Sequence, residues 1–351
     1  MADPVNVEEF EAAARERLPR SVYDYYAGGA EDEVTVRTNR EAFQSLRLRY
    51  RVLVDVSRVD LATSLLGTPL AIPVILAPTA LHRLAHPEGE KATARAAASS
   101  RTLMTLSTVS SVTLEEVAAA APDGARWFQL YCFDDREETA ALIERAHRAG
   151  YRAIVLTVDA PILGRRERDM RNAFAVPDGL AAHPPRKPRA ASAQWPLSSL
   201  IGQPSLDWSD VAWIRSLSPL PLVVKGIVRG DDAVKALDAG AAAIWVSNHG
   251  GRQLDTAIPT AEALPEVVAA VAGRAPVVVD GGIRRGTDVL KALALGATAA
   301  AIGRPQLWGL AAAGEEGVSR VLAALSDELA LAMALSGCPA VSRIDRSLVA
   351  P

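Results

Sequence analysis

The chain has 351 residues, about half of them apolar, and 38 basic against 41 acidic residues for a formal net charge of −3. Such a chain can bury a large core, and its interspersed charges give no footprint for nucleic acid or an anionic membrane. No apolar run reaches the ~18–20 residues of a membrane span, the start Met1-Ala2-Asp3-Pro4 has no leader-like region, the end is no peroxisomal address, and Cys132 and Cys338 lie far apart without metal spacing. A cytoplasmic protein is expected.

Residues 6–18 have the spacing of a short amphipathic helix, with Val7, Phe10, Ala14 and Leu18 on one side and Pro19 ending it. An aromatic cluster follows, Tyr23-Asp24-Tyr25-Tyr26, closed by Gly28-Gly29. From residue 72 a beat of apolar strand, short loop and alanine-rich helix sets in. Strands are expected at 72–77, 103–106, 126–131, 153–158, 221–225, 243–246, 276–279 and 299–302. Helices are expected at 87–100, 113–121, 135–149, 209–217, 231–239, 261–272, 287–295 and about 311–335. Eight such units predict a (β/α)₈ barrel, an α/β fold whose strands are buried on both faces. The whole chain, 1–351, is read as one domain, with the barrel proper at about 72–337 and a helical extension before it. After strand four about 35 residues, 172–207, precede the next helix, and their middle is rich in Pro and Arg. A loop that long at the catalytic face reads as a lid, with weak order expected over 180–205.

In such a barrel chemistry gathers at the C-terminal strand ends. These read Pro78-Thr79-Ala80, Ser107-Thr108-Val109, Gln129-Leu130-Tyr131, Thr157-Val158-Asp159 with Arg165-Arg166 beyond, Lys225-Gly226, Ser247-Asn248-His249, Asp280-Gly281-Gly282-Ile283-Arg284 and Gly303-Arg304. All eight end in polar or hydrogen-bonding groups, which packing alone does not require. The sixth runs on through Gly250-Gly251-Arg252-Gln253-Leu254-Asp255. A base and a fixed cation three residues apart suit proton abstraction from an anionic substrate; the alternative is a His-Gly-Gly turn beside a surface arginine. Bare backbone at Gly281, Gly282 and Gly303, with Arg284 and Arg304, implies a phosphate between loops seven and eight.

The stretches 247–255, 280–286 and His86-Pro87-Glu88-Gly89-Glu90 resemble those of the FMN-dependent 2-hydroxy-acid oxidases and dehydrogenases, a family that includes glycolate oxidase, lactate oxidase and mandelate dehydrogenase. The likeness runs from Tyr23 to about Ser347. It implies FMN in the barrel mouth, oxidation of an (S)-2-hydroxy acid to a 2-keto acid, and a homo-oligomer, tetrameric or octameric; O₂ is the expected electron acceptor. Carried over residue by residue, His249 is the base and Asp159 its partner. Arg166, Arg252 and Tyr25 hold the substrate carboxylate, Tyr131 meets its hydroxyl, and Lys225 offsets negative charge on reduced flavin. Pro78, Thr79, Ala80, Ser107, Gln129, Thr157, Ser247 and Asp280 border the flavin, and Gly281, Gly282, Arg284, Gly303 and Arg304 the phosphate. No metal is implied.

Two positions depart from the family pattern. Val109 stands where glycolate oxidases carry tryptophan, which enlarges the substrate pocket and points to a longer or aromatic 2-hydroxy acid, as in hydroxymandelate-type oxidases. Ala173 replaces a basic residue at the hinge of the long loop. A dehydrogenase serving a quinone or carrier protein, a catalytically silent flavin scaffold and an FMN-dependent isomerase are the competing readings; seven matched site residues speak against the second and the paired arginines against the third.

Overall fold

Every strand expected from the apolar runs is present, within three residues of its expected bounds. They are β1 (Val74–Leu76), β2 (Leu103–Leu106), β3 (Ala125–Leu130), β4 (Ile154–Thr157), β5 (Leu222–Ile227), β6 (Ala243–Val246), β7 (Val277–Val279) and β8 (Ala299–Ile302). Each pairs in parallel with the next, and β8 returns to β1, with Ile302 opposite Leu76. The fold is the closed (β/α)₈ barrel. It is seen in a computed structural model that describes residues 3–183 and 203–350.

Alternation along the strands builds two cores. Ile75, Trp127, Val155, Val223, Trp245, Val278 and Ala301 fill the barrel, and the antiparallel pair Thr63–Leu65 and Thr68–Leu70 adds Leu65 and Leu70 to that cluster. Leu76, Phe128, Leu156, Val224, Ile244 and Val279 point outward and pack beneath the helices.

Helices α4 (Gly89–Ser99), α5 (Leu114–Ala120), α6 (Arg136–Arg148), α8 (Trp208–Ser216), α9 (Gly230–Asp238), α10 (Thr260–Val271) and α11 (Gly286–Ala294) lie where the sequence placed them. The last, α12 (Arg304–Leu335), starts seven residues earlier than expected. Pro305 suits a first turn, and the helix is broken at Ala313–Gly314, where Gly314 has φ +59°.

The N-terminal segment holds α1 (Val7–Arg17), the helix expected there, and two that were not expected, α2 (Arg20–Ala27) and α3 (Val34–Ser45). A short α7 (Glu167–Arg171) opens loop four. Beyond it, 180–183 are packed rather than loose: Ala182 N donates to Ser110 O at 2.8 Å, Leu114 N donates to His183 Nε2 at 3.2 Å, and His183 is buried. The rest of the expected lid, 184–202, lies outside the described residues.

Candidate active site

The inward face of the barrel changes character two residues from each strand end. Above the apolar layer come Thr79, Ser107, Gln129, Thr157, Lys225, Ser247 and Asp280, most of them buried. All but Ser247 line a cavity that opens at the C-terminal strand ends, and its lining includes all the expected site residues except Asp159 and Ser247.

His249 projects into the cavity from a strained backbone. Its φ is +57°, and Gly250 and Gly251 follow at +62° and +75°. Left-handed geometry at a non-glycine residue is destabilising by ~1–3 kcal/mol and is held by its surroundings. Here the His249 N–H donates to Ser247 Oγ at 3.0 Å, and Nδ1 lies 2.8 Å from Asp159 Oδ1. Nδ1–H therefore donates to the carboxylate and leaves the Nε2 lone pair toward the cavity, 3.5 Å from Tyr131 Oη. Burial lowers the His249 pKa, aided by Lys225 and Arg166, against the pull of Asp159. Burial pushes the Asp159 carboxyl up, but His249 and Lys225 outweigh it and its pKa lies below the usual value. The resting pair is neutral imidazole on carboxylate, a base ready to accept.

Asp159 sits behind His249 because strand β5 makes room for it. The register of β5 against β6 shifts between Lys225 and Ile227, and Gly226 there has φ +111°. A Cβ on Gly226 would stand 2.6 Å from Asp159 Cβ and 2.7 Å from its Cγ.

Two arginines face the cavity beside His249. Arg166 is buried, its Nε 3.4 Å from Arg252 O, and burial followed by the neighbouring Arg252 charge lowers its pKa to about 10. Arg252 lies over the Tyr25 ring, 5.2 Å from its centroid, and Tyr25 stacks on Phe174 at 4.4 Å. Among the described residues neither arginine has a carboxylate within ion-pair distance. Two cations held together without an acid are the setting for an anionic ligand. Part of Arg252 serves the fold, however, for its Nη1 donates to Tyr25 O at 2.6 Å and Gly28 O at 2.9 Å.

The opposite side carries the features of a cofactor site. Gln129 Nε2, Thr157 Oγ1 and Arg284 Nε are buried without a protein partner, which is where ring and ribityl polar atoms of a flavin would be met. A Cβ on Gly303 would meet only Thr79 Cγ2, at 3.5 Å, so bare backbone faces the cavity at the start of α12. A helix N-terminus so exposed suits a phosphate. These residues fit FMN. Gly281 and Gly282, expected only as phosphate backbone, have φ of +92° and +94°, and a Cβ on Gly282 would lie 2.2 Å from Asn39 O. Packing against α3 demands glycine there as well.

Two expected contacts take another form. Ser247, expected at the flavin edge, is fully buried behind the cavity wall; its Oγ accepts from Lys225 Nζ at 2.9 Å and donates to Asp280 Oδ1 at 2.7 Å. Arg304, expected on the phosphate, donates to Tyr26 O, Ala27 O, Gly28 O and Gly250 O at 2.8–3.2 Å. One N–H on each of its terminal nitrogens remains for an anion. Burial, with Arg252 and Arg284 nearby, lowers its pKa to about 9. Sequence reading missed Tyr26, whose hydroxyl donates to Leu81 O at 2.6 Å and whose ring lines the cavity. Its place in the tyrosine cluster was the available signal.

Known proteins resemble this chain over nearly its whole length. The profile of the FMN-dependent dehydrogenase family matches residues 14–351. An L-lactate oxidase of Nostoc sp. is 52% identical, with 99% of each chain covered. The glycolate oxidase of Spinacia oleracea is 50% identical over 98% of this chain and 95% of that one. A mandelate oxidase solved with (S)-4-hydroxymandelic acid superposes with a TM-score of 0.92 at 44% identity, covering 99% and 98% of the two chains. The chain belongs to the FMN-dependent dehydrogenase family.

Proposed function

We propose that this protein oxidises (S)-2-hydroxy acids to 2-keto acids as a single FMN-dependent unit spanning the chain, with O₂ taking the electrons and leaving as H₂O₂. The observation that carries the reading is the meeting, in one cavity, of the His249–Asp159 base with two arginines that, among the described residues, have no carboxylate at ion-pair distance. Bound FMN supplies the two-electron acceptor.

Arg166 and Arg252 grip the substrate carboxylate, with the Tyr25 hydroxyl beside them, and so fix the 2-carbon next to His249. Loss of two electrons and two protons turns the CHOH group into a ketone. Nε2 of His249 takes a proton in either available route, from the hydroxyl if hydride leaves the carbon, or from the carbon itself. The imidazolium so formed is stabilised by Asp159, which also keeps the ring oriented. The Tyr131 hydroxyl, 3.5 Å from Nε2, is placed to hold the substrate oxygen. Lys225 lines the cavity and offers a fixed cation where charge grows on reduction.

The residue at 109 supports a substrate larger than glycolate, for a valine there lines the cavity. Val109 is buried there, and its backbone is held on both sides: its N–H donates to Ser107 Oγ at 3.1 Å and its carbonyl accepts from Leu81 N at 3.0 Å. A mandelate-like or medium-chain 2-hydroxy acid fits that side. The same reading carries a cytoplasmic homo-oligomer, tetramer or octamer.

The test is a panel of 2-hydroxy acids, scored by flavin bleaching without oxygen and then by peroxide release in air. Bleaching with peroxide supports the oxidase. Bleaching without peroxide reassigns the electrons to a quinone or carrier protein, and no bleaching by any member leaves a silent flavin scaffold.

A further inference from the structure

Trp245 is an odd occupant of the barrel interior. It is fully buried beside Trp127, Val223 and Val278, where aliphatic side chains fill most other positions. Its indole Nε1 donates to Asp280 Oδ2 at 3.0 Å, and Lys225 Nζ lies 5.9 Å from its ring centroid. Oδ2 of Asp280 also stands 3.6 Å from Lys225 Nζ, with the two side chains 10% and 5% exposed. The other oxygen, Oδ1, accepts from Ser247 Oγ. Lys225 is the only lysine lining the cavity among the described residues. Lys225 and Asp280 thus line the cavity as an ion pair, and one indole N–H fastens the carboxylate oxygen that faces the lysine.

We propose that Asp280 and Trp245 set how much of the Lys225 charge is felt in the cavity, and through it the preference of the site for reduced over oxidised FMN. The proposal rests on the FMN binding in the function proposed above and not on the choice of substrate. Two-electron reduction with uptake of one proton leaves the flavin ring system with an added negative charge, which a nearby cation favours. Asp280 opposes that effect because it pairs with the same cation. A hydrogen bond from the indole draws charge away from Oδ2 and loosens its hold on Lys225. The indole N–H therefore acts through Asp280, with Trp245 as a positioning residue, and the two should move the preference in opposite directions.

The experiment titrates the FMN-loaded protein with dithionite against a reference dye and compares affinities for the two redox states; no hydroxy acid is present. Trp245→Phe keeps a ring against Lys225 and removes the N–H; it should shift the reduced-to-oxidised affinity ratio at least ~threefold toward oxidised. Asp280→Asn should shift it at least ~tenfold toward reduced, about 30 mV for a two-electron couple. In the double variant the tryptophan change should add nothing. An unchanged ratio in Trp245→Phe, a shift toward reduced, or a shift that persists beside Asp280→Asn would overturn the proposal and leave Trp245 as packing. Should Asp280→Asn fail to retain FMN, Trp245→Phe decides by its own sign. A wild type with these shifts intact but inert to every 2-hydroxy acid would sink the proposed activity alone, whereas one that takes up no FMN would sink both.

Discussion

Adding one methyl group at Gly226 should disable the base without touching it. The alanine Cβ would lie 2.6–2.8 Å from Cβ, Cγ and N of Asp159, distances that real Cβ atoms do not adopt. The backbone cannot turn aside easily, because φ there is +111° and any L side chain is strained. Asp159 must shift by several tenths of an ångström, and its 2.8 Å bond to His249 Nδ1 lengthens or breaks. Hydrogen bonds to charged groups contribute about 1.5–3 kcal/mol, and each ~1.4 kcal/mol is tenfold in rate. Gly226→Ala should therefore slow flavin reduction by ~10–100-fold. Arg166, Arg252 and Tyr25 are not displaced, so the substrate concentration giving half-maximal reduction should change less than threefold. Anaerobic stopped-flow reduction over a substrate series separates the two quantities. A variant that keeps FMN and reduces it at the wild-type rate would show that Asp159 is not needed where it sits. One that loses affinity and rate together would show that the strain spreads to the arginines.

Three further outcomes are expected. Because burial lowers the His249 pKa and only the neutral ring accepts a proton, kcat/KM should fall with acidification through a pKa below the ordinary 6.5 and stay level above it; an acid limb centred above 6.5 would count against this base. Arg252→Met should raise KM and lower kcat together, by at least about tenfold in kcat/KM, since the guanidinium holds the carboxylate throughout and also fastens the end of α2; unchanged steady-state kinetics would assign the carboxylate to Arg166 and Tyr25. Val109→Trp should move preference from mandelate-like acids toward glycolate by about tenfold, since burying ~60 Å² of apolar substrate surface contributes roughly 1.5 kcal/mol; glycolate already best in the wild type, with the variant neutral, would refute the enlarged pocket.

The barrel was legible because its strands are short apolar runs between helices with their own caps. Thr113 with Glu116 and Asp135 with Glu137 each close a helix start within a few residues. The two missed N-terminal helices lack such local signals. Helix α3 opens Val34-Thr35-Val36, a β-branched run that favours strand. Its first N–H groups are capped by Asp255, which accepts from Val34 N at 3.1 Å and Thr35 N at 2.8 Å across more than 200 residues. Helix α2 carries three tyrosines in eight residues and ends on carbonyls bound by Arg252 and Arg304. Neither partnership is visible until the chain closes. For the same reason the sequence showed Ser247 and Arg304 as ligand contacts, whereas much of their bonding is internal.

On the function proposed above, the stretch 247–255 is catalytic and architectural at once, and its order follows from electrostatics. Arg252 meets the C-terminal carbonyls of α2, where a helix carries partial negative charge, and Asp255 meets the N-terminal N–H groups of α3, where it carries partial positive charge. Between them Gln253 Nε2 donates to Asp159 O at 3.3 Å and Ile162 O at 2.8 Å, tying loop four to loop six. Asn248 exchanges paired amide bonds with Asn39 of α3 at 2.8 and 2.9 Å. A left-handed His249 flanked by these four anchors cannot relax by moving its loop, because moving it would unfasten the end of α2, the start of α3, loop four or the Asn39 pair. The strain at the base is therefore borne by the N-terminal helices, which makes them part of the active site although only Tyr25 and Tyr26 from that segment reach the cavity.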